Sequence, residues 1–313
     1  MQLHPHGLVH DLATLDRLAR SRRQALRWLG AGAALPIVGC GGGGGDATSA
    51  ATEDLLRVGG GTAGARGGAT GSTSTGTSSS TSTSTSTTTS TTTSGSSSCS
   101  QIPSETAGPY PGDGTNNGTN GGIANALTQS GIVRSNIVSS FGSSSGTATG
   151  IPLTITLNVV NVAKSCASLA GFAVYLWHCD ALGRYSMYTA AIAGQNYLRG
   201  VQVTDSAGSV TFTSIFPGCY DGRWPHIHFE VFSSLASATS GNNDIKTSQI
   251  ALAPAACSAV YASSIYTGSA ANFAKSSLAS DNVFSDGYAL ELATVTGSNA
   301  AGYAATLTVG VSV

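Results

Sequence analysis

The sequence predicts an all-β protein, a β-sandwich with long loops and at most short helices. From Cys99 onward, short runs of alternating apolar and polar residues recur between glycine-rich turns, and no long stretch has the period of an amphipathic helix. The clearest run, residues 151–159, places four apolar side chains on one face of a strand: Leu153, Ile155, Leu157 and Val159. We therefore expect a single globular domain over residues 99–313.

The other strands follow in chain order, each bounded by residues that favour turns. Strands are predicted at 172–178, 201–204, 209–213, 226–232, 289–296 and 305–313. The segment Asp205–Gly208 has the composition of a hairpin turn between two of these strands. One short helix is predicted at 272–278.

The first 40 residues have the features of an export signal. Arg22 and Arg23 precede an apolar run from Trp28 to Val38, which is shorter than the ~20 residues needed to cross a membrane. The run leads to Cys40 and resembles a bacterial lipobox, and the arginine pair resembles the signal of the export route for folded proteins. We expect Cys40 to carry lipid and to anchor the protein to the bacterial cell envelope, facing the periplasm or the surface. The alternative is a chance arginine pair beside an Ala/Gly-rich segment.

Residues 41–98 are predicted to form a tether between this anchor and the domain. The stretch 73–98 consists almost entirely of Ser and Thr. Such a segment cannot bury enough apolar surface to offset the entropy lost on ordering. A flexible polar spacer is therefore expected.

The charge content excludes some classes of partner. The chain has 14 Lys+Arg against 15 Asp+Glu, and charged residues make up only 9%. This balance provides no basic surface for nucleic acid and no polybasic segment for a membrane. We expect no nucleic-acid partner.

Six cysteines remain to be assigned. With Cys40 given to lipid, five are left in the domain: Cys99, Cys166, Cys179, Cys219 and Cys257. An oxidising compartment favours two disulfides and one free thiol, although sequence alone does not fix the connectivity. We favour a Cys166–Cys179 bond, because these residues flank a short loop and the strand that leaves it. Thiol ligation of a metal is less favoured because no two cysteines have C-x-x-C spacing.

The histidines give the first indication of chemistry. Residues 99–313 contain only His178, His226 and His228. Alternate residues of a strand share a face, so His226 and His228 project together while the residues between and after them face the core. A histidine pair of this kind suits a metal, but exposed pairs without a function are common.

The surrounding motifs make the assignment more specific. The two longest are W-H-x-D-x-x-G-x-Y-S at Trp177–Ser186 and F-P-G-x-Y-x-G-R-x-P-H-I-H-F at Phe216–Phe229. Shorter ones are L-R-G-x-Q-x-T-D at Leu198–Asp205, T-x-Q at Thr247–Gln249 and T-x-G-P-Y at Thr106–Tyr110. Together they resemble the intradiol ring-cleavage dioxygenase family, over most of residues 99 to about 288.

The resemblance implies a transthyretin-like (prealbumin-like) sandwich that holds a non-haem Fe(III). By motif position, its ligands would be Tyr185, Tyr220, His226 and His228. The substrates would be O2 and a catechol-type diol, which is cleaved between its two hydroxyl-bearing carbons. The donor set also suits the ion chemically, because phenolates are hard anionic ligands for a hard trivalent cation.

The resemblance also gives roles to neighbouring residues. Tyr220 would act as a base towards a substrate hydroxyl, and Arg223 would stabilise negative charge that develops on the ring. Gln249 matches a residue beside the substrate, and Tyr110 matches a segment that covers the mouth of the site. Without the motifs, Tyr185 and Tyr220 would read as ordinary core tyrosines.

The chain departs from the family at several points. It lacks the long helical N-terminal dimerisation segment of the catechol-cleaving branch. Cys219 stands where a bulkier residue is expected beside Tyr220, and Cys257 is a candidate to pair with Cys219.

Two other interpretations stay open. The domain could be a tethered β-sandwich that binds carbohydrate or another surface ligand without a catalytic metal, or a zinc protein that uses His226, His228 and a cysteine. We expect His178 to be a hydrogen-bonded structural residue inside the sandwich. Glu230 is either a partner of an imidazole N–H or a solvated surface residue.

Overall fold

The computed structural model describes residues 99–313, and strands dominate this part of the chain. In chain order the strands are β1 (Asp113–Asn117), β2 (Ile123–Asn125), β3 (Pro152–Asn161), β4 (Ala167–Ser168), β5 (Ala173–Trp177), β6 (Arg199–Val203), β7 (Ser209–Ile215), β8 (His226–Phe232), β9 (Lys246–Ala251), β10 (Thr294–Ser298) and β11 (Gly302–Val311). Two short helices follow β9, namely α1 (Pro254–Tyr261) and α2 (Ser269–Phe273).

The strands form two main sheets. One is antiparallel with the order β6-β5-β8-β9. The other has the order β10-β11-β3, with β7 and β4 both pairing with β3, and β11 runs parallel to β3. A separate antiparallel ribbon joins β1 and β2. The predicted all-β sandwich is confirmed.

The core lies between the two sheets. The predicted face of β3, from Leu153 to Val159, is fully buried, while its other face is more exposed. It packs in one apolar cluster with the side chains of β8 that lie on the same side of their sheet: Ile227, Phe229 and Val231. Burial of these alternating side chains is the main contribution that favours the sandwich.

The predicted turn at Asp205–Gly208 forms, but it does not close a hairpin. The amides of Gly208 and Ser209 bond to the backbone and side chain of Asp205, as turn residues do. However, β6 pairs with β5 while β7 pairs with β3, so the turn carries the chain from one sheet to the other. The hairpin interpretation is wrong because a turn's local composition does not specify the partners of the strands that leave it.

The helical prediction is also partly wrong. Helix α2 covers Ser269–Phe273 and overlaps the predicted segment by only two residues. Helix α1 was not predicted; it has Pro254 at its first position and buries Cys257, Val260 and Tyr261. Its length of two turns leaves too short a periodic pattern to identify from sequence.

The disulfide pattern differs from the favoured one. Cys99 bonds to Cys166, and Cys179, Cys219 and Cys257 are buried free thiols. The Cys166–Cys179 prediction and the candidate Cys219–Cys257 pair are both wrong. Cys179 instead lies on the loop after β5 with its thiol directed to the carbonyl of Gly218.

The predicted signal, the lipid site at Cys40 and the tether at 41–98 lie outside the described residues. Across residues 99–313, no helix has the length and apolar character required to cross a bilayer.

Candidate metal centre

The outer face of the four-stranded sheet carries a row of cross-strand neighbours. In register they are Arg199 of β6, Trp177 of β5, His228 of β8 and Gln249 of β9. These residues face away from the sandwich core because their neighbours in sequence point into it. Loops and the N-terminal part of the domain cover this face, so the whole of β8 is buried.

The two predicted histidines lie side by side on this face. Their ring centroids are 4.8 Å apart, and His228 stacks on Trp177 at 4.9 Å. The Nδ1 atom of His226 donates to the carbonyl of Trp224, which leaves Nε2 as the available lone pair. Burial lowers the pKa of both histidines well below the ordinary value, so both imidazoles are neutral.

Two tyrosine rings from separate loops meet these imidazoles. Tyr220 lies 5.6 Å from His226, Tyr185 lies 6.3 Å from His228, and the two phenol rings are 5.9 Å apart, all between ring centroids. The Tyr220 hydroxyl is 3.1 Å from Nε2 of His226. The structure therefore brings together all four residues that the motifs single out as ligands.

Glycine allows the two tyrosine loops to pack closely. A Cβ at Gly183 would lie 2.9 Å from the Cβ of Tyr220, and Gly183 has a φ of +75°. Any other residue there would be strained and would separate the loops. The glycine of the W-H-x-D-x-x-G-x-Y-S motif thus has a direct role in the convergence.

The donor chemistry fits a trivalent cation. The Tyr185 hydroxyl is buried without a hydrogen-bond partner. Burial raises its pKa well above the ordinary value, and the neighbouring Tyr220 raises it further. Burial likewise raises the pKa of Tyr220 to about 12, against the effect of Arg223. Neither phenol ionises near neutral pH unless a cation stabilises the anion, and a bound cation would satisfy the buried Tyr185 oxygen.

A charged network borders the four rings. Arg223 pairs with Asp281 at 2.9 Å, donates to Oε1 of Gln249 at 2.7 Å and directs a further N–H to Nε2 of His226 at 3.4 Å. Asp281 also accepts the amide of Trp224. Asp281 was missed by the sequence reading, since no local pattern links it to a motif more than fifty residues earlier.

An N-terminal segment, residues 104–112, covers the site; we call it the strap. Its Tyr110 ring lies 5.0 Å from that of Tyr185 and 5.2 Å from that of Tyr188, at the edge of the cluster. A Cβ at Gly108 would lie 3.3 Å from Cε1 of His228, so the strap backbone rests directly on that imidazole. Tyr110 thus lies beside Tyr185 and Tyr188, and its role at the mouth of the site stays a prediction.

The other predicted polar residues have structural partners. His178 is buried between the carbonyl of Cys179 and the hydroxyl of Ser214, as expected for a structural histidine. Glu230 does not bond to an imidazole. It is buried beside Asp113, and burial followed by the Asp113 charge raises its pKa well above the ordinary value. Both predicted roles of Glu230 are therefore wrong, because β1 covers this part of the sheet.

Among residues 99–313, no three side chains of the types His, Cys, Asp and Glu form a cluster able to hold a metal. This result argues against the zinc interpretation, which needs a cysteine beside His226 and His228. It is compatible with the four-ring site because two of its donors are phenols.

A separate open cleft of about 660 Å³ lies near the β1–β2 turn. Its lining is uncharged and includes Asn120, Ile123, Met187 and Gln195. None of the four converging rings lines it.

Comparisons with known proteins find dioxygenases that are similar to this domain. A protein-family model described as Dioxygenase matches residues 138–228, which include all four converging rings. An intradiol ring-cleavage dioxygenase from Tetranychus urticae has a similar structure, with 25% identity, a TM-score of 0.53, and coverage of 68% of this chain and 95% of the other. This part of the chain is therefore similar to dioxygenases in sequence, and the domain is similar to an intradiol ring-cleavage dioxygenase in fold.

A second solved dioxygenase structure supports the same relationship. It has 25% identity, a TM-score of 0.52 and the same coverage of both chains. No curated protein sequence matches this intradiol dioxygenase-like chain. The relationship supports ring cleavage by a dioxygenase, which is an oxidoreductase activity.

Proposed function

We propose that the domain is a non-haem Fe(III) dioxygenase that uses O2 to cleave a catechol-type diol between its two hydroxyl-bearing carbons. The observation that supports this most directly is the close packing of two phenol and two imidazole rings, whose neighbouring centroids are 4.8–6.3 Å apart. Tyr185, Tyr220, His226 and His228 would hold the ion. When bound, Fe(III) would act as a Lewis acid and make the electron-rich ring reactive towards O2.

Tyr220 is proposed to receive a proton from the substrate. Its hydroxyl oxygen lies 3.1 Å from Nε2 of His226. It is less enclosed than Tyr185 and lies on a turn with two flanking glycines, which favours its exchange with an incoming hydroxyl. Tyr185 has no such freedom and stays in place.

Arg223 is proposed to stabilise negative charge on the substrate ring. Asp281 and Gln249 hold its guanidinium on two sides, and a remaining N–H is directed at His226. A preorganised cation of this kind does not need to reorient as charge develops. Gln249 is itself fixed by donating to the carbonyl of Thr106 in the strap.

The aromatic surroundings suit a planar substrate. Tyr110 of the strap provides one edge, and the strap backbone lies over His228. We further propose that lipid on Cys40 anchors the enzyme to the bacterial cell envelope.

The test is the colour of the iron-loaded protein. Tyrosinate ligands of Fe(III) absorb visible light, so one equivalent of iron should give a red-brown protein whose band shifts when catechol is added. The band should weaken in Tyr185→Phe and in Tyr220→Phe but remain in Tyr303→Phe, whose ring packs on Phe216 and whose hydroxyl bonds to Asn299. An iron-loaded protein without a visible band would overturn the proposal.

Kinetics separate the proposed roles. We expect Tyr220→Phe to lower turnover by about 10²-fold or more while most iron is retained, as is typical for loss of a general base. His226→Ala should lose both iron and oxygen uptake. Full activity of either variant would contradict the ligand assignment.

A further inference from the structure

The strap crosses the row of residues on the outer sheet face and is held at both ends of it. At one end, Gln249 donates from Nε2 to the carbonyl of Thr106 at 2.8 Å. In the middle, Gly108 lies over His228. At the other end, the guanidinium of Arg199 donates to the backbone carbonyl of Tyr110, the strap residue whose ring lies against Tyr185.

All five N–H groups of the Arg199 guanidinium donate hydrogen bonds to neutral oxygen atoms. Two reach the strap, at the carbonyls of Tyr110 (2.9 Å) and Pro111. Two reach the carbonyl and the hydroxyl of Ser186, at 3.0 and 3.1 Å. The fifth reaches the hydroxyl of Tyr175 at 3.0 Å, which in turn donates to Pro111.

The two groups of contacts belong to segments that form different walls of the candidate site. Ser186 directly follows Tyr185, whereas the strap carries Tyr110. The rings of Tyr110 and Tyr185 are 5.0 Å apart. Arg199 therefore connects, through one rigid planar group, the segment that covers the site and the loop that carries one of its phenols.

We propose that Arg199 is a positioning residue that locks the strap to the Tyr185 loop and thereby sets the wall of the substrate site formed by Tyr110. The catalytic consequence rests on the proposed function, whereas the locking itself does not. Arg199 lies in the L-R-G-x-Q-x-T-D motif, to which the sequence reading gave no role.

The energetics support a specific role for arginine at this position. Arg199 is only 1% exposed, and a buried cation is destabilising unless its donors are satisfied. A planar fork with five donors can reach both segments at once, whereas a lysine ammonium has three donors at a single point. An apolar residue would fill the space but would leave the strap carbonyls without donors.

Gly112 gives independent evidence for the close approach. A Cβ at this position would lie 2.7 Å from Nη1 of Arg199 and 3.1 Å from Cζ, and φ is +64°. Only glycine lets the strap backbone lie against the guanidinium. The amide of Gly112 also donates to the hydroxyl of Tyr188 at 2.7 Å, which fixes the end of the strap.

The test combines two variants that break the lock from opposite sides. Arg199→Lys replaces the planar five-donor guanidinium by an ammonium. Gly112→Ala leaves Arg199 in the sequence but adds a methyl group that forces the strap and the guanidinium apart. The matched control for Arg199→Lys is Arg134→Lys, because Arg134 bonds to the carbonyl of Arg199 and not to the strap. The matched control for Gly112→Ala is Gly121→Ala, because Gly121 also has a positive φ (+84°) but has open space where a Cβ would lie.

The first readout is hydrogen exchange of the iron-free protein. We expect amides in 104–113 to exchange about tenfold faster or more in both test variants, and those of β8 to keep their protection. Both controls should resemble the wild type. Unchanged strap exchange in both test variants, or equal loss of protection in β8, would overturn the proposal.

The second readout is steady-state kinetics with catechol. KM should rise on the order of tenfold in both test variants with a smaller change in kcat, because one charge-assisted hydrogen bond corresponds to about that factor in affinity. An unchanged KM with a released strap would overturn the role in the substrate wall. If the wild type released no ring-cleavage product while strap exchange responded as expected, the lock would stand and only the proposed function would fail.

Discussion

The disulfide between Cys99 and Cys166 gives a prediction that follows directly from chain connectivity. It joins the first described residue to the turn between β3 and β4, with a sequence separation of 67. Closing a loop of this length in the unfolded chain corresponds to about 4 kcal/mol in the chain-entropy treatment. Cys99→Ala should therefore lower the free energy of unfolding by about that amount, within the usual range of about 2–5 kcal/mol.

The assay is urea denaturation followed by intrinsic fluorescence, under oxidising conditions and again with a reductant. Reduction should destabilise the wild type but not Cys99→Ala, because the variant already lacks the bond. Cys179→Ala is the matched control; it removes a buried thiol and should cost only about 1 kcal/mol through the lost packing. The reasoning would be refuted if Cys179→Ala, and not Cys99→Ala, removed the sensitivity to reductant.

Three further predictions concern ionisation, an ion pair and the anchor. Burial, followed by the Glu105 charge, raises the pKa of Glu291 from 4.5 to about 8, so the stability from its protonated form is complete below pH 4.5 and is lost as the pH rises through 8. In urea denaturation, the free energy of unfolding of Glu291→Gln relative to that of the wild type should thus rise by on the order of 2–4 kcal/mol between roughly pH 5 and 9. A difference between the two proteins that does not change with pH would contradict this. Asp281→Asn should lower stability by about 2–4 kcal/mol and reduce kcat/KM, because it leaves Arg223 buried without its ion-pair partner; an unchanged melting temperature would count against the network. Cys40→Ala should move the protein from the membrane fraction to the soluble fraction after cell lysis, and unchanged membrane association would argue against the lipid anchor.

Local sequence pattern was sufficient where a strand's own period carries the information. The alternation in 151–159 identified the buried face of β3, and the same period placed His226 and His228 on one face of β8. The motifs named Tyr185 and Tyr220, and the structure brings both rings to the histidines. The strand faces depend on short-range geometry, which neighbouring residues largely determine, whereas the two tyrosines were named only through the family resemblance.

Pairings between distant segments could not be read in the same way. The turn after β6 looked like a hairpin because turn composition is local, whereas strand partners depend on how both sheets pack. Cys166 had several candidate partners, and only the folded chain shows that Cys99 lies beside it. Asp281 acquires its role only when its loop packs against Arg223.

The sequence by itself determined the class of fold and the faces of the main strands, and its motifs named the four rings that pack together. The tertiary structure decided which distant groups support them: Asp281 beside Arg223, the strap over His228, and Arg199 between the strap and the Tyr185 loop. The physical reason is that side-chain direction follows from the backbone period of each strand. Hydrogen-bond partners across tens of residues are fixed only when hydrophobic burial brings the segments together.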